Sequence, residues 1–150
     1  MENLEKKVMD MLKDAMKNKD NGKVQTLRMI KSAIQYYKIE KGIKELSEAD
    51  AVSIISKMVK QRKESIDEYS KAGREDLVKK EQIELEVLNT FMPEQLDDNK
   101  LREELQNIIK ELGAEGKKDF GKVMKEAMNR LRGRADGKKI KDFVTELLSL

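Results

Sequence analysis

The chain has 150 residues, a length that can bury one ordinary core or two small ones. Of these residues 41% are charged and 4% aromatic, a composition typical of all-helical proteins. Cysteine and histidine are both absent, which excludes disulfides, thiolate nucleophiles, the usual zinc sites and imidazole acid-base chemistry. The formal net charge is +3, but residues 117–141 hold ten Lys or Arg against three acidic residues, a local net charge of +7.

The N-terminal segment, MENLEKKVMDML, interleaves acidic residues with apolar ones and contains no continuous apolar run. This pattern matches neither a signal peptide nor a membrane span. We therefore expect a cytoplasmic protein with no membrane partner.

Two helices are predicted in the first 42 residues. The first ends in the polar run NKDNG at 18–22. The second runs from about 23 to 41 and ends at Gly42, a residue type favoured just after a helix. Their apolar stripes are Leu4, Val8, Met11, Leu12 and Ala15 in the first helix and Leu27, Ile30, Ile34 and Tyr37 in the second.

Two more helices are predicted before the single proline. Ser47 and Asp50 resemble a capping box, so the third helix begins there and runs to the break at 72–73. The fourth runs from about 75 to 90, and Pro93 stops it. The apolar residues of this pair are Val52, Ile55, Val59, Ile66 and Tyr69, followed by Leu77, Leu85 and Leu88.

Three shorter helices are predicted beyond the proline. Asp97 or Asp98 caps the fifth helix, Gly133 ends the sixth, and Asp136 caps the seventh. Their inward faces are Leu101, Leu105, Ile108 and Leu112; then Phe120, Val123, Met124, Ala127 and Leu131; then Ile140, Phe143, Val144 and Leu147.

No stretch of the chain shows strand-like alternation long enough to propose a sheet. The predicted fold class is therefore all-α, a two-part multihelical bundle with four longer N-terminal helices and three shorter C-terminal helices. The boundary at Pro93 predicts an N-terminal domain of residues 1–92 and a C-terminal domain of residues 93–150.

Residues 116–123, GKKDFGKV, nearly match the phosphate loop of nucleotide-binding enzymes, and residues 119–121 spell the kinase motif DFG. A phosphate loop follows a strand, but a helix is predicted here, and Val123 stands where a Ser or Thr would bind magnesium. The kinase motif fails because the chain has no histidine for an H-R-D segment. We interpret this segment as a helix entrance, with Asp119 at the cap or first turn and Gly121 where another helix packs closely.

Arg62 falls in the middle of the apolar stripe of the third helix. Glu81 and Glu84 fall in the stripe of the fourth helix, and an antiparallel pair turning near Gly73 would set Glu84 opposite Arg62. This arrangement predicts a structural ion pair between Arg62 and Glu84. The alternative is that the two glutamates are catalytic carboxylates, but an arginine between them would keep them ionised and occupied. We predict no catalytic residue, no metal site and no cofactor.

Basic residues converge on the sixth helix, the GRADG turn at 133–137 and the seventh helix. Because Lys and Arg contacts to phosphates supply most non-specific nucleic-acid affinity, this pattern predicts RNA binding, with an ordinary solvated face as the alternative. Phe120 and Phe143 are core residues by phase, so the surface suits duplex or folded RNA better than stacked single strands. As N-cap, Asp136 would occupy the first backbone amides of the seventh helix, so these amides would not be free to bind a phosphate. The candidate RNA-binding residues are Lys117, Lys118, Lys122, Lys125, Arg130, Arg132, Arg134, Lys138 and Lys139.

Five short motifs, taken in order, resemble the GatB/YqeY family, and the likeness covers nearly the whole chain. It is closest to the free-standing YqeY-like proteins. From about Pro93 onward the chain is similar to the C-terminal tail of the B subunit of the glutamine-dependent amidotransferase that corrects mischarged tRNA. The motifs are LRMIKSAI (27–34), KQRKES (60–65), FMPEQL (91–96), DFGKVM (119–124) and GRADGKKI (133–140).

The resemblance implies a two-part helical fold and a module that aids tRNA binding. Its implied partners are tRNA and an amidotransferase or an aminoacyl-tRNA synthetase. By the same analogy, the residues that shape the turns are Gly121, Gly133, Ala135 and Asp136.

Three functions follow from these observations. The first is a tRNA-binding accessory module without a catalytic site of its own, and the second is a protein-interaction module that docks on an enzyme. The third is the carbon-nitrogen ligase activity of the relatives, with glutamine as amide donor. The catalytic domains of the amidotransferase have no counterpart in these 150 residues, so we do not expect the chain to catalyse that reaction alone.

Overall fold

The computed structural model describes residues 3–149, and within that range the chain forms α-helices and one short 3₁₀ helix without any strand. The all-α class, with four longer helices followed by three shorter ones, is confirmed. The helices are α1 (Leu4–Lys17), α2 (Asn21–Lys41), α3 (Glu48–Lys71), α4 (Glu75–Asn89), α5 (Asp98–Leu112), the 3₁₀ helix Lys117–Asp119, α6 (Phe120–Leu131) and α7 (Gly137–Leu147).

Contacts between Cα atoms divide the chain into two compact units, with the division after Met92. We call α1–α4 the N-terminal unit and α5–α7 the C-terminal unit. Each has its own apolar core. No helix in the described part of the chain combines the length and the apolar character needed to cross a membrane.

The N-terminal unit begins with two helices that are closer together in sequence than the polar run predicts. Asp20 accepts a hydrogen bond from the Lys23 amide, so α2 already begins at Asn21. The reversal between α1 and α2 uses Lys19, whose φ of 56° lies in the left-handed region. An aspartate cap thus turns part of the predicted break into the first turn of α2.

The capping box that starts α3 is present as predicted. Ser47 Oγ accepts from the Asp50 amide, and Asp50 Oδ2 accepts from the Ser47 amide, both at 3.0 Å. The Tyr37 hydroxyl also donates to Asp50 Oδ1 at 2.7 Å. This hydrogen bond, followed by those from Ser47, lowers the pKa of Asp50. One carboxylate therefore both caps α3 and joins it to α2.

The core of the N-terminal unit contains fully buried residues from α2, α3 and α4, among them Leu27, Ile55 and Leu88. The inward face of α4 differs from the predicted stripe, because Val78 and Val87 are buried whereas Leu77 and Leu85 are only half-buried. The buried residues of α4 differ from the predicted ones because α4 packs extensively against both α2 and α3. A helix between two neighbours buries a wider face than a single stripe.

The C-terminal unit packs α5, α6 and α7 around one core. Asp97 caps α5 by accepting from the Lys100 amide at 2.8 Å, and Gly113 ends it with a φ of 62°. A left-handed residue at this position lets two amides bond the last carbonyls of the helix. The residues of this core that are no more than 1% exposed are Leu101, Leu105, Ile108, Val123, Ala127, Leu131, Ile140 and Val144.

The entrance to α6 differs from the prediction at Gly121. Asp119 stands at the N-cap position of α6 as predicted, but its carboxylate accepts from the Glu115 amide at 2.8 Å and closes the preceding loop, so it makes no capping hydrogen bond to α6. The prediction that another helix packs closely on Gly121 is wrong. No atom outside the helix's own backbone lies within 4 Å of the position that a Cβ would occupy there. Gly121 lies in the first turn of α6 and does not have a left-handed φ.

Candidate nucleic-acid interface

The solvent face of α6 carries two of the predicted RNA-binding lysines. Val123 and Ala127 point into the core, and at 100° per residue Lys122 and Lys125 fall on the opposite side of the helix. Both lysines are exposed, and neither forms an ion pair with a residue in the range 3–149. Their charges are therefore available to a ligand.

Lys117 and Lys118 lie in the 3₁₀ helix just before α6, and both are exposed. Gly116 precedes them with a φ of 118°, a conformation that favours glycine. Neither lysine is ion-paired within the part of the chain that the structure describes. The basic charge thus continues from the solvent face of α6 to its entrance.

The turn between α6 and α7 divides its two arginines between different roles. Arg132 is exposed and forms no ion pair with any described residue. Arg134 is half-buried, its carbonyl accepts from the Leu96 amide at 2.9 Å, and its Nε lies 3.5 Å from the Glu94 carbonyl. Arg134 therefore connects the turn to residues 94–96. Its half-buried side chain has fewer free donors for RNA than an exposed arginine has.

The other predicted turn residues complete this connection. Gly133 has a φ of 77°, and its carbonyl accepts from the side-chain amide of Gln95. Ala135 is half-buried and packs against the core of the C-terminal unit. Gly133 suits the turn because the left-handed region has no steric cost for glycine.

Asp136 stands at the N-cap position of α7 but does not act as predicted. Its carbonyl accepts from the Ile140 amide at 3.0 Å, whereas its side chain makes no capping hydrogen bond. The expectation that this carboxylate occupies the first amides of α7 is wrong. Asp136 is exposed, so water can solvate its carboxylate at little cost. Lys138, in the first turn, is exposed and is not ion-paired with a described residue.

Arg130 and Lys139 are engaged by acidic side chains of the same unit. Arg130 lies 2.7 Å from carboxylate oxygens of both Glu126 and Glu111, and these contacts raise the pKa of its guanidinium. Lys139 forms an ion pair with Asp98. Both cations are thus neutralised in place.

Six of the nine predicted residues therefore form an exposed set of cations without acidic partners among the described residues. The 12 residues of α6, about 18 Å in length, connect the two ends of this set. No exposed aromatic residue accompanies it, since Tyr36 of the N-terminal unit is the only strongly exposed aromatic side chain between residues 3 and 149. We call this set the basic surface: Lys117, Lys118, Lys122, Lys125, Arg132 and Lys138.

The N-terminal unit brings Arg62 into contact with both glutamates named from the sequence. Arg62 Nε lies 2.7 Å from Glu84 Oε2 and 3.4 Å from Glu81 Oε2. These three side chains are only 11–16% exposed. The N–H bond points at neither oxygen, so Arg62 Nε and Glu81 Oε2 are buried without a hydrogen bond. Within residues 3–149, no group of three or more acidic, His or Cys side chains is placed to hold a metal ion.

The stability of the N-terminal unit is expected to depend on the protonation of Glu81. Burial and then the charge of Glu84 raise the pKa of Glu81, although Arg62 and Lys80 oppose the shift. Because the folded state then holds this proton more tightly than the unfolded chain, stability falls as pH rises from about 4.3 through the raised pKa. Urea unfolding at a series of pH values should show that Glu81→Gln weakens this fall.

Glu86→Gln is the matched control, since Glu86 is exposed on the same helix and forms no ion pair with a described residue. It should leave the pH dependence as in the parent protein. Equal pH profiles for Glu81→Gln and the parent protein would contradict the assignment.

Comparison with known proteins gives matches along most of the chain. A family model described as "Yqey-like protein" matches residues 5–148. The chain is also similar to proteins named "Altered inheritance of mitochondria protein 41, mitochondrial". It is 35% identical over 127 residues to the one from Pyrenophora tritici-repentis. This alignment covers 83% of this chain and 68% of that protein.

Two other relatives with the same name match over shorter parts of their length. The protein from Eremothecium gossypii is 42% identical over 81 residues, or 54% of this chain and 44% of the relative. The protein from Vanderwaltozyma polyspora is 35% identical over 120 residues, or 75% of this chain and 64% of the relative. The chain therefore spans less than two thirds of the length of both relatives.

The expectation of a cytoplasmic protein is contradicted by these comparisons, because the relatives are named as mitochondrial proteins. The expectation rested on the N-terminal segment, which interleaves acidic residues with apolar ones and contains no continuous apolar run. A compartment is specified by targeting segments, and the composition of a folded helical unit does not encode it.

Proposed function

Because the chain belongs to the YqeY family, we propose that it is a tRNA-binding accessory module acting beside a glutamine-dependent amidotransferase or an aminoacyl-tRNA synthetase. The observation that carries this proposal is the basic surface. It presents six cations that no acidic side chain in the described range neutralises. The relatives carry a mitochondrial name, so mitochondrial tRNA belongs beside total tRNA in the test.

The proposed mode of binding is recognition of RNA backbone and shape. Lysine and arginine bind phosphates through charge, and each phosphate neutralised releases counterions from the RNA. The basic surface has no exposed aromatic side chain on which an unpaired base could stack. Duplex regions of a folded RNA fit such a surface, because their phosphates and 2′-hydroxyls are read without base stacking.

The C-terminal unit supports this role by holding the cations in place. Lys122 and Lys125 extend from a helix whose other side is locked into the core by Val123 and Ala127. Gln95 and Arg134 fasten the turn that carries Arg132. In this proposal the chain contributes RNA binding and positioning, and the partner enzyme performs the chemistry.

Reversing the charges of Lys122 and Lys125 together to Glu should weaken tRNA binding on the order of tenfold or more at low salt. The slope of log affinity against log salt should also fall by about 1 for each phosphate that the protein no longer neutralises. Both lysines are exposed and unpaired within residues 3–149, so the variant keeps the core intact. Fluorescence anisotropy with total and mitochondrial tRNA across a salt series measures both quantities.

The matched control reverses Lys13 and Lys17, two exposed lysines of α1, and produces the same change of net charge. It should leave the salt slope close to that of the parent protein. If both double variants weaken binding equally, the effect is one of net charge, and the basic surface is not the binding site. If the parent protein binds no tRNA, the proposal fails and the protein-interaction hypothesis takes its place.

A further inference from the structure

A cavity of about 410 Å³ opens on the surface of the N-terminal unit, between α2 and α4 and above α3. We call it the α2–α4 groove. Its volume lies within the range of roughly 300–1,000 Å³ that is usual for small-molecule sites. The residues that matter here are Arg28 and Met29 of α2, Arg62 of α3, and Lys80, Glu81 and Glu84 of α4.

The accessible charges of the α2–α4 groove are positive. Arg28 and Lys80 are exposed, and neither makes an ion pair or a hydrogen bond to a described residue. The two carboxylates lie deeper, where Glu84 is buried and the Oε2 atom of Glu81 is shielded from solvent. A ligand entering the groove therefore meets the cations before the carboxylates.

The two glutamates also determine how Arg62 faces the α2–α4 groove. Their closest contacts with Arg62 are made at Nε. The terminal NH groups of its guanidinium donate no hydrogen bond to any residue between 3 and 149. A guanidinium held by one edge can offer its remaining donors as a planar fork to a carboxylate or phosphate.

The buried polar atoms beside this cavity need an explanation. Arg62 Nε and Glu81 Oε2 make no hydrogen bond although both are shielded from solvent, and such atoms are uncommon in folded proteins. They adjoin a cavity of ligand size that contains two further cations. An anion could not satisfy Glu81 Oε2, which is itself an acceptor. The case for an anion therefore rests on charge, because three cations, Arg28, Arg62 and Lys80, line the groove beside two carboxylates, Glu81 and Glu84.

We propose that the α2–α4 groove binds a small organic anion, whose phosphate or carboxylate group is held by Arg28, Lys80 and the free edge of Arg62. Met29 is 39% exposed and lines the same cavity, so its flexible thioether packs against the apolar part of the ligand. Glu84 is a positioning residue that holds Arg62. The site depends on neither the basic surface nor the proposed tRNA binding.

Isothermal titration calorimetry with inorganic phosphate, adenosine monophosphate and uncharged adenosine tests this proposal. Saturable binding of either phosphate-containing probe, with no binding of adenosine, is the expected result. Arg28→Ala and Lys80→Ala should each weaken binding about tenfold or more, because each variant removes a charged donor that contacts the anion. Lys79→Ala is the control, because Lys79 is exposed next to Lys80 but does not line the groove, and its affinity should be unchanged.

Absence of saturable binding by both phosphate-containing probes would overturn the proposal. An equal loss of affinity in Lys79→Ala would also overturn it, because the loss would then follow from the change of net charge and not from contacts in the groove. Chemical shifts of the backbone amides on titration with adenosine monophosphate supply a second readout. Shifts confined to residues away from 25–29, 62 and 80–84 would also contradict the site.

The phosphate could belong to a free metabolite or to an RNA chain, and the double variant Arg28→Ala/Lys80→Ala separates these sources. Unchanged tRNA affinity together with lost binding of adenosine monophosphate assigns the groove to a free small molecule. Loss of both assigns it to a phosphate of RNA, and either outcome supports an anion site. The tRNA proposal is tested separately through Lys122 and Lys125, so failure of one does not imply failure of the other.

Discussion

Replacing Arg62 by Met is expected to lower the free energy of unfolding by about 3–5 kcal/mol at neutral pH. The substitution keeps an apolar side chain of similar length but removes the cation that contacts both Glu81 and Glu84. Two carboxylates that are only 11–16% exposed would then remain without their buried partner. An uncompensated buried charge costs more than the intact pair contributes, because desolvation is no longer offset by attraction.

Urea unfolding followed by circular dichroism measures this loss, and a double-mutant cycle with Glu84→Met shows whether the two residues are coupled. The double variant Arg62→Met/Glu84→Met should recover much of the stability, since it removes a charge from both sides of the pair. Lys63→Met is the matched control, because Lys63 is the exposed neighbour of Arg62 on α3 and its loss should cost less than about 0.5 kcal/mol. Full stability of Arg62→Met, or purely additive effects in the cycle, would show that the pair is energetically unimportant.

Replacing Leu105 by Ala is expected to destabilise the C-terminal unit by about 2–5 kcal/mol. Leu105 is 0% exposed and belongs to the same core as Val123 and Ala127 of α6. The truncation removes buried methyl groups and leaves a cavity that the surrounding helices fill only in part. A small unit has a narrow margin of stability, so this change takes a large share of it.

A functional consequence follows, because the basic surface depends on the core that holds α6. If Leu105→Ala unfolds the C-terminal unit, tRNA binding should be lost although no cationic residue has changed. Leu105→Met nearly conserves the volume and should cost less than about 1.5 kcal/mol with tRNA affinity retained. Circular dichroism and anisotropy on the same samples distinguish the two variants. Undiminished tRNA binding by an unfolded C-terminal unit would argue against a folded RNA-binding surface.

Most of the secondary structure could be predicted because helix signals are local. Apolar spacing of three and four residues located the seven α-helices that the structure describes between residues 3 and 149, and the Ser47–Asp50 capping box and the Asp97 cap are present as predicted. The α2 boundary was less accurate, because either Asp20 or a residue further along could have begun that helix. Caps compete over one or two residues, and the geometry of the preceding turn decides between them.

The candidate site was less predictable, since a cation's availability depends on residues distant in sequence. Glu126 lies four residues before Arg130, so the helical i,i+4 rule could have identified that pair. Glu111 and Asp98 reach Arg130 and Lys139 from α5, and no local pattern indicates which cation each would meet. Arg134 is removed as well, because it is half-buried with its Nε on the Glu94 carbonyl. The structure therefore reduces nine predicted RNA-binding residues to a basic surface of six.

The helical class, the positions of the helices and the concentration of positive charge beyond residue 116 follow from the residues alone, because periodicity and composition are properties of the chain. Packing between helices determines which of those charges are neutralised, and it also forms the cavity in which Arg28 and Lys80 lie beside Arg62. Ion pairs and cavities form where side chains from different helices meet. Their positions depend on how helices pack, which the spacing of residues along one helix does not specify.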